Sequence, residues 1–168
     1  IKVATPEYGP VALVNARLII ASLIFLPILL RKKYLPLLAP IWKHVLILSV
    51  INNMIPFTLF SYASLGSSSN ILAILNATTA FNTMVIAYFW INESVTLKQI
   101  IGLILGFIGV IILVNPQNSA ATLISSISCL FAAAFYSLST VFIQKNSAKT
   151  NKLVLIGWSI VFSAVLMM

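Results

Sequence analysis

Long apolar runs alternate along this chain with short basic connections. No charged residue lies between Val45 and Asn92, and none between Gln99 and Gln144. Each stretch is more than twice the roughly 20 residues that a helix needs to cross about 30 Å of hydrocarbon. Each therefore reads as two crossings joined by a tight turn. Turn formers mark the breaks, Gly66-Ser67-Ser68-Ser69-Asn70 in the first and Asn115-Pro116-Gln117-Asn118-Ser119 in the second. Carried over the whole chain, the pattern predicts hydrophobic segments at 10–30, 44–65, 71–91, 97–114, 121–143 and 153–168. They are longer than the roughly ten residues of a barrel strand and apolar nearly all round, so helices are expected. The predicted fold class is all-α, a polytopic membrane helical bundle.

Composition agrees with this reading. Of 168 residues, 61% are hydrophobic and 7% charged, against roughly 25% charged in a soluble domain. That leaves too few polar side chains to cover a water-facing surface, which argues against a soluble enzyme, a disulfide scaffold or a disordered tail. The net charge of +8 is explained by where the cations lie. If the segments cross alternately, connections 31–43, 92–98 and 144–152 share one side, with Arg31, Lys32, Lys33, Lys43, Lys98, Lys145, Lys149 and Lys152 against the single acid Glu93. The other side has only Lys2 and Glu7 beside two uncharged turns. By the positive-inside rule the basic side is cytoplasmic, and no nucleic-acid partner is needed to account for the charge. The chain begins Ile1-Lys2-Val3-Ala4 with no visible signal peptide, and it is expected to be a fragment cut at both ends.

Boundary signals refine the helices. Thr96-Leu97-Lys98-Gln99 has the form of a capping box, and Asn115-Pro116 stops the segment that follows. Within that segment Gly102, Gly106 and Gly109 mark one face on which a neighbouring helix can approach closely, within the chain or between repeats rather than between subunits.

Two polar stripes raise the question of a cavity. Ser49, Asn52, Asn53 and Pro56 share one helix face, and Asn76, Thr78, Thr79, Asn82 and Thr83 occupy less than half the circumference of the next helix. Facing lipid, these groups would be poorly satisfied, so both stripes should turn inward. There they form either interhelical glue or the wall of a polar cavity, and two amide-bearing stripes side by side favour the cavity. Pro56 adds a bend and a freed carbonyl at the same level. Arg17 is the only basic residue within a span. It either snorkels to headgroups or lines the outer mouth and attracts an anionic or carboxylate-bearing solute. His44 is expected at the interface, and Glu93 beside Lys98 or a neighbouring loop. Cys129 reads as a small buried hydrophobe. With one His, one Cys and two separated Glu there is no hydrolase triad, metal cluster or carboxylate pair, so neither enzyme chemistry nor a cofactor is expected. Ile1-Lys2 and Gln144-Lys145 also begin comparable stretches on opposite faces, the arithmetic of an inverted repeat.

The stretch from Leu59-Phe60-Ser61-Tyr62-Ala63 through Asn76-Ala77-Thr78-Thr79-Ala80, Asn92-Glu93-Ser94-Val95-Thr96, Gln99-Ile100-Ile101-Gly102 and Gly106-Phe107-Ile108-Gly109-Val110 resembles the EamA-like family of the drug/metabolite transporter superfamily. Glu93, Thr96, Gly102, Gly106 and Gly109 fall on its signature, and Arg17 after Pro10 is similar to an arginine of its second span. Where the family often has a proline, Ala80 stands here. The resemblance implies part of a ten-span inner-membrane protein built of two inverted five-span repeats. Residues 1–116 would form the first repeat without most of its first span, and 117–168 the truncated start of the second. It further implies export of small metabolites, such as amino acids or drug-like solutes, by alternating access. Arg17, Asn52, Asn53, Asn76, Thr79 and Thr83 are then the expected solute-contacting residues. The runner-up is a non-transporting membrane scaffold or assembly subunit. The lipid bilayer and a small solute are the expected partners, and the oligomeric state stays open.

Overall fold

The computed structural model describes residues 9–114, 122–147 and 150–167. The turn at 115–119 and Lys2, Glu7 and Lys149 lie outside them. Gly9, with φ 78°, precedes α1 (Pro10–Leu29). Proline at the first helical position gives up an N–H that would have no partner there. A short 3-10 turn, Leu35–Leu37, leads to α2 (Trp42–Leu48). The helix then widens into a π-turn at Ser49–Met54 and continues as α3 (Ile55–Gly66). Widening falls just before Pro56, which cannot donate back into the helix.

The third expected segment is helical in two pieces, α4 (Ser69–Ala77) and α5 (Thr79–Ile91). The interruption at Thr78 needs no proline. Thr78 Oγ1 donates to the Leu75 carbonyl at 2.6 Å, Thr79 Oγ1 to that of Asn76 at 2.6 Å, and Thr83 Oγ1 to that of Thr79 at 2.7 Å. Such back-bonding competes with the main-chain ladder and bends helices. Asn92 closes α5 in the left-handed region, φ 52°, with the Asn92 and Glu93 N–H groups both directed at the Ala87 carbonyl. Next, α6 (Leu97–Val114) starts at the expected capping box: Thr96 N donates to Gln99 Oε1 at 2.8 Å and Gln99 N to Thr96 Oγ1 at 3.4 Å. The chain ends in α7 (Leu123–Ser147) and α8 (Lys152–Leu166), the latter capped by Asn151.

Four helical stretches are long and apolar enough to cross a membrane, Val11–Leu29, Trp42–Gly66, Ser69–Ile91 and Leu123–Asn146, and Leu97–Ile112 and Lys152–Leu166 are shorter apolar helices. The chain is a multi-pass membrane protein. Large apolar side chains point outward, Phe89 at 77% and Ile124 at 78% exposure among them, as suits a lipid-facing belt.

Helix α7 is central and packs against α3, α4, α5 and the π-turn, while α1 lies on α8. Small residues allow the close approach: Ser125, Cys129, Ala132, Ala133 and Ser137 form the buried stripe of α7. The expected small-residue face on α6 behaves differently, because no described atom lies within 4 Å of where a Cβ at Gly102, Gly106 or Gly109 would be. Among the described residues that face has no partner, and α6 meets the bundle instead through α4 and an edge contact of Phe107 with Phe81 at 5.4 Å.

Two glycines do sit at tight contacts. A Cβ on Gly66 would fall 2.6 Å from Thr122 Oγ1, at the turn where Thr122 N donates to the Gly66 carbonyl and Ser67 pairs with Ser125. A Cβ on Gly157 would fall 3.1 Å from both δ-carbons of Leu29.

The basic connections converge on one end of the bundle. Gln144 Nε2 donates to Glu93 Oε2 at 3.1 Å, Lys145 Nζ lies 5.1 Å from the Trp90 ring centre, and the Phe142 ring is 5.9 Å from His44 and 6.3 Å from Trp90. A depression lined by Leu37, Pro40, His44, Asn146 and Asn151 joins connection 31–43 to 144–152.

Candidate functional site

At the level where α4 passes into α5, five helices contribute side chains to an open cavity of about 450 Å³. Its lining is Arg17 from α1, Phe57 and Phe60 from α3, Asn76 from α4, Thr79 from α5 and Tyr136 from α7. Three expected solute-contacting residues, Arg17, Asn76 and Thr79, therefore meet at one place. Asn76 and Thr79 stand three residues apart across Thr78 and so share one face.

Arg17 is exposed rather than sequestered. Its guanidinium carbon lies 5.4 Å from the centre of the Phe57 ring, a cation–π distance. Phe57 is held in turn by an edge contact with Tyr136, 5.9 Å between ring centres. Arg17 stands twelve residues before the end of α1 at Leu29, so it lies roughly 18 Å along the helix from the basic end. Among the described residues it is the one lysine or arginine in the interior of a span, since Lys43 and Lys145 stand at the ends of theirs beside the basic connections. The guanidinium, the Asn76 carboxamide and the Tyr136 hydroxyl can together hold a carboxylate or another compact anion, while the Thr79 hydroxyl, its proton given to the Asn76 carbonyl, lines the space. The aromatic rings offer a surface to an apolar body.

Asn52 and Asn53 lie elsewhere. Asn53 is buried and donates through Nδ2 to Ser163 Oγ at 3.0 Å on α8. Asn52 Nδ2 donates to Asn53 Oδ1 at 3.0 Å, and Asn52 Oδ1 accepts from Ser139 Oγ at 2.7 Å on α7. Ser49 Oγ shares its proton between the carbonyls of Val45, 2.8 Å away, and Ser159, 3.0 Å away. The first polar stripe thus joins the π-turn to α7 and α8 as interhelical hydrogen bonding. The freed backbone beside Pro56 is buried in protein, the condition under which irregular helix is tolerated at membrane depth.

Thr83 lines a second cavity, of about 290 Å³, one helical turn from Thr79 and toward the basic end. Its other polar lining groups are Glu93, Ser94, Gln99 and Gln144, over a floor that includes Ala80, Met84, Ala87 and Leu103. Of the two partners expected for Glu93, Lys98 or a neighbouring loop, it takes the second, Gln144 at the start of connection 144–152.

Sequence reasoning missed Phe57, Phe60 and Tyr136. The available signal was on α7, where Tyr136 adjoins the small-residue stripe ending at Ser137 and so had to face the bundle. Cys129 is buried as expected, with Sγ 3.7 Å from the Leu72 carbonyl.

Neither a curated protein nor a solved structure gave a match to this chain. Residues 1–115, most of its length, match the model of the EamA-like transporter family, and so the membrane bundle that carries these two cavities belongs to that family of drug/metabolite transporters.

Proposed function

We propose that the protein exports small metabolites, such as amino acids or drug-like solutes, across the cell's inner (plasma) membrane by alternating access, and that the Arg17 cavity is its solute site. The observation that carries this reading is the meeting of Arg17, Asn76, Thr79 and Tyr136 around one space walled by Phe57 and Phe60. A solute with a carboxylate and an apolar body matches that lining. A planar guanidinium can meet that carboxylate through two parallel hydrogen bonds. Transport then consists of exposing the cavity to each face in turn, with no covalent step.

In this reading residues 1–116 form one repeat unit and 117–168 begin the next, within a ten-span assembly of inverted repeats. The basic connections face the cytoplasm, as the positive-inside rule requires. Asn52 and Asn53 support the wall by fixing the π-turn against α7 and α8, and Asn76, Thr79 and Arg17 touch the solute.

The test is flux into or out of vesicles carrying the full-length protein, over a panel of amino acids and amphipathic drugs. Asn76→Leu and Arg17→Gln are each expected to lower flux of a carboxylate-bearing solute at least tenfold with insertion and abundance unchanged. Unchanged flux of several solutes in both variants would remove the cavity from the pathway.

A further inference from the structure

The second cavity has a chemistry opposite to the first. Glu93 supplies a carboxylate, the only one among the described residues, at the end of the bundle where the cations gather. Gln144 holds one of its oxygens at 3.1 Å. Lys145, the next residue, places its ammonium over the Trp90 ring instead. Among the described residues no lysine or arginine pairs with Glu93. A carboxylate beside an apolar-floored space of about 290 Å³, with hydroxyl and carboxamide acceptors around it, fits an organic ammonium carrying a short hydrocarbon body. The ammonium's donors would meet Glu93, Thr83 and Ser94, and its methylenes would lie on Met84 and Leu103.

We propose that the cavity between α5, α6 and the 92–96 connection is a second ligand site, selective for a primary ammonium group on an aliphatic chain. The site stands apart from the Arg17 cavity and does not depend on whether solute is transported. Two sources could present that group, a soluble amine or the headgroup of phosphatidylethanolamine, since the cavity lies at the end of the bundle that the basic connections mark.

Binding of hexylammonium to the full-length protein in phosphatidylcholine nanodiscs tests it, with empty discs subtracting partition into lipid. The expected result is saturable binding at least tenfold tighter than that of hexanoate or hexanol. Glu93→Gln should weaken it tenfold or more. Ala80→Leu, which fills the space without altering charge, should do the same, and Arg17→Gln should leave it unchanged. If hexanoate binds as well as hexylammonium, or if Glu93→Gln and Ala80→Leu both bind hexylammonium as the parent does, the site is overturned. Discs containing phosphatidylethanolamine separate the two sources: competition with hexylammonium assigns the site to the lipid headgroup, and undiminished binding assigns it to a soluble amine.

Discussion

Two asparagines on adjacent helices have opposite duties. Asn53 is 2% exposed and bonded to serine hydroxyls of α8, whereas Asn76 faces the Arg17 cavity. An interhelical hydrogen bond inside a membrane contributes about 0.6–2 kcal/mol. Asn53 both accepts from Asn52 and donates to Ser163, so Asn53→Ala should cost about 1–2 kcal/mol. The expected outcome is a lowered Tm of the detergent-purified protein with affinity for a carboxylate solute preserved. Asn76→Leu should do the reverse, leaving Tm within a degree or two while affinity falls tenfold. If the two substitutions gave the same phenotype, the division between glue and wall would be wrong. Composition alone did not reveal this division. Both residues lie on inward polar stripes, and what separates them is the serine pair, Ser159 and Ser163, on a helix a hundred residues further along. Only the packing of α8 against the π-turn brings those hydroxyls within reach.

Helix identity and boundaries were legible because charge-free length, turn formers and the Thr96–Gln99 box act locally. The choice of packing face was not, since small residues permit close approach without naming the partner. Gly102, Gly106 and Gly109 meet nothing among the described residues, while the serine, cysteine and alanine stripe of α7 lies at the centre. The interruption at Thr78 was likewise hidden, as Ala80 stands where a proline would have announced a bend. These differences set up a contrast at the scale of the element. Leu29 is fully buried and cannot retreat from a side chain grown at Gly157. Gly157→Leu should therefore destabilise the α1–α8 contact by about 1–3 kcal/mol, seen as a lower Tm and a broadened size-exclusion peak. Gly106→Leu should leave both measurements of the detergent-solubilised bundle unchanged, because its Cβ enters open space. A loss of stability at Gly106 equal to that at Gly157 would mean that α6 is covered by a helix from beyond the described residues or by another molecule.

The cations gathered at one end and the two cavities stacked along α5 give the molecule an axis, with Arg17 away from that end and Glu93 at it. The gathering is carried by contacts among residues distant in sequence, Glu93 with Gln144, Lys145 with Trp90 and His44 with Phe142. Orientation in the bilayer follows from a separate principle, the retention of Lys and Arg on the cytoplasmic side. The two can be tested together with single cysteines in the full-length protein. Native Cys129 is 0% exposed and should stay silent toward a membrane-impermeant maleimide, so the background is clean. Cysteines at Lys33, Ser94 and Lys152 should label in inside-out vesicles and be protected in intact cells, and one at Ser69 should label in intact cells. Were the first three to divide between the faces, the bundle's common basic end would be lost and the placement of both cavities with it. Were all three to label together from outside, the bundle would stand inverted, and Arg17 would lie toward the cytoplasmic face, so that the proposed solute site would be approached from within the cell.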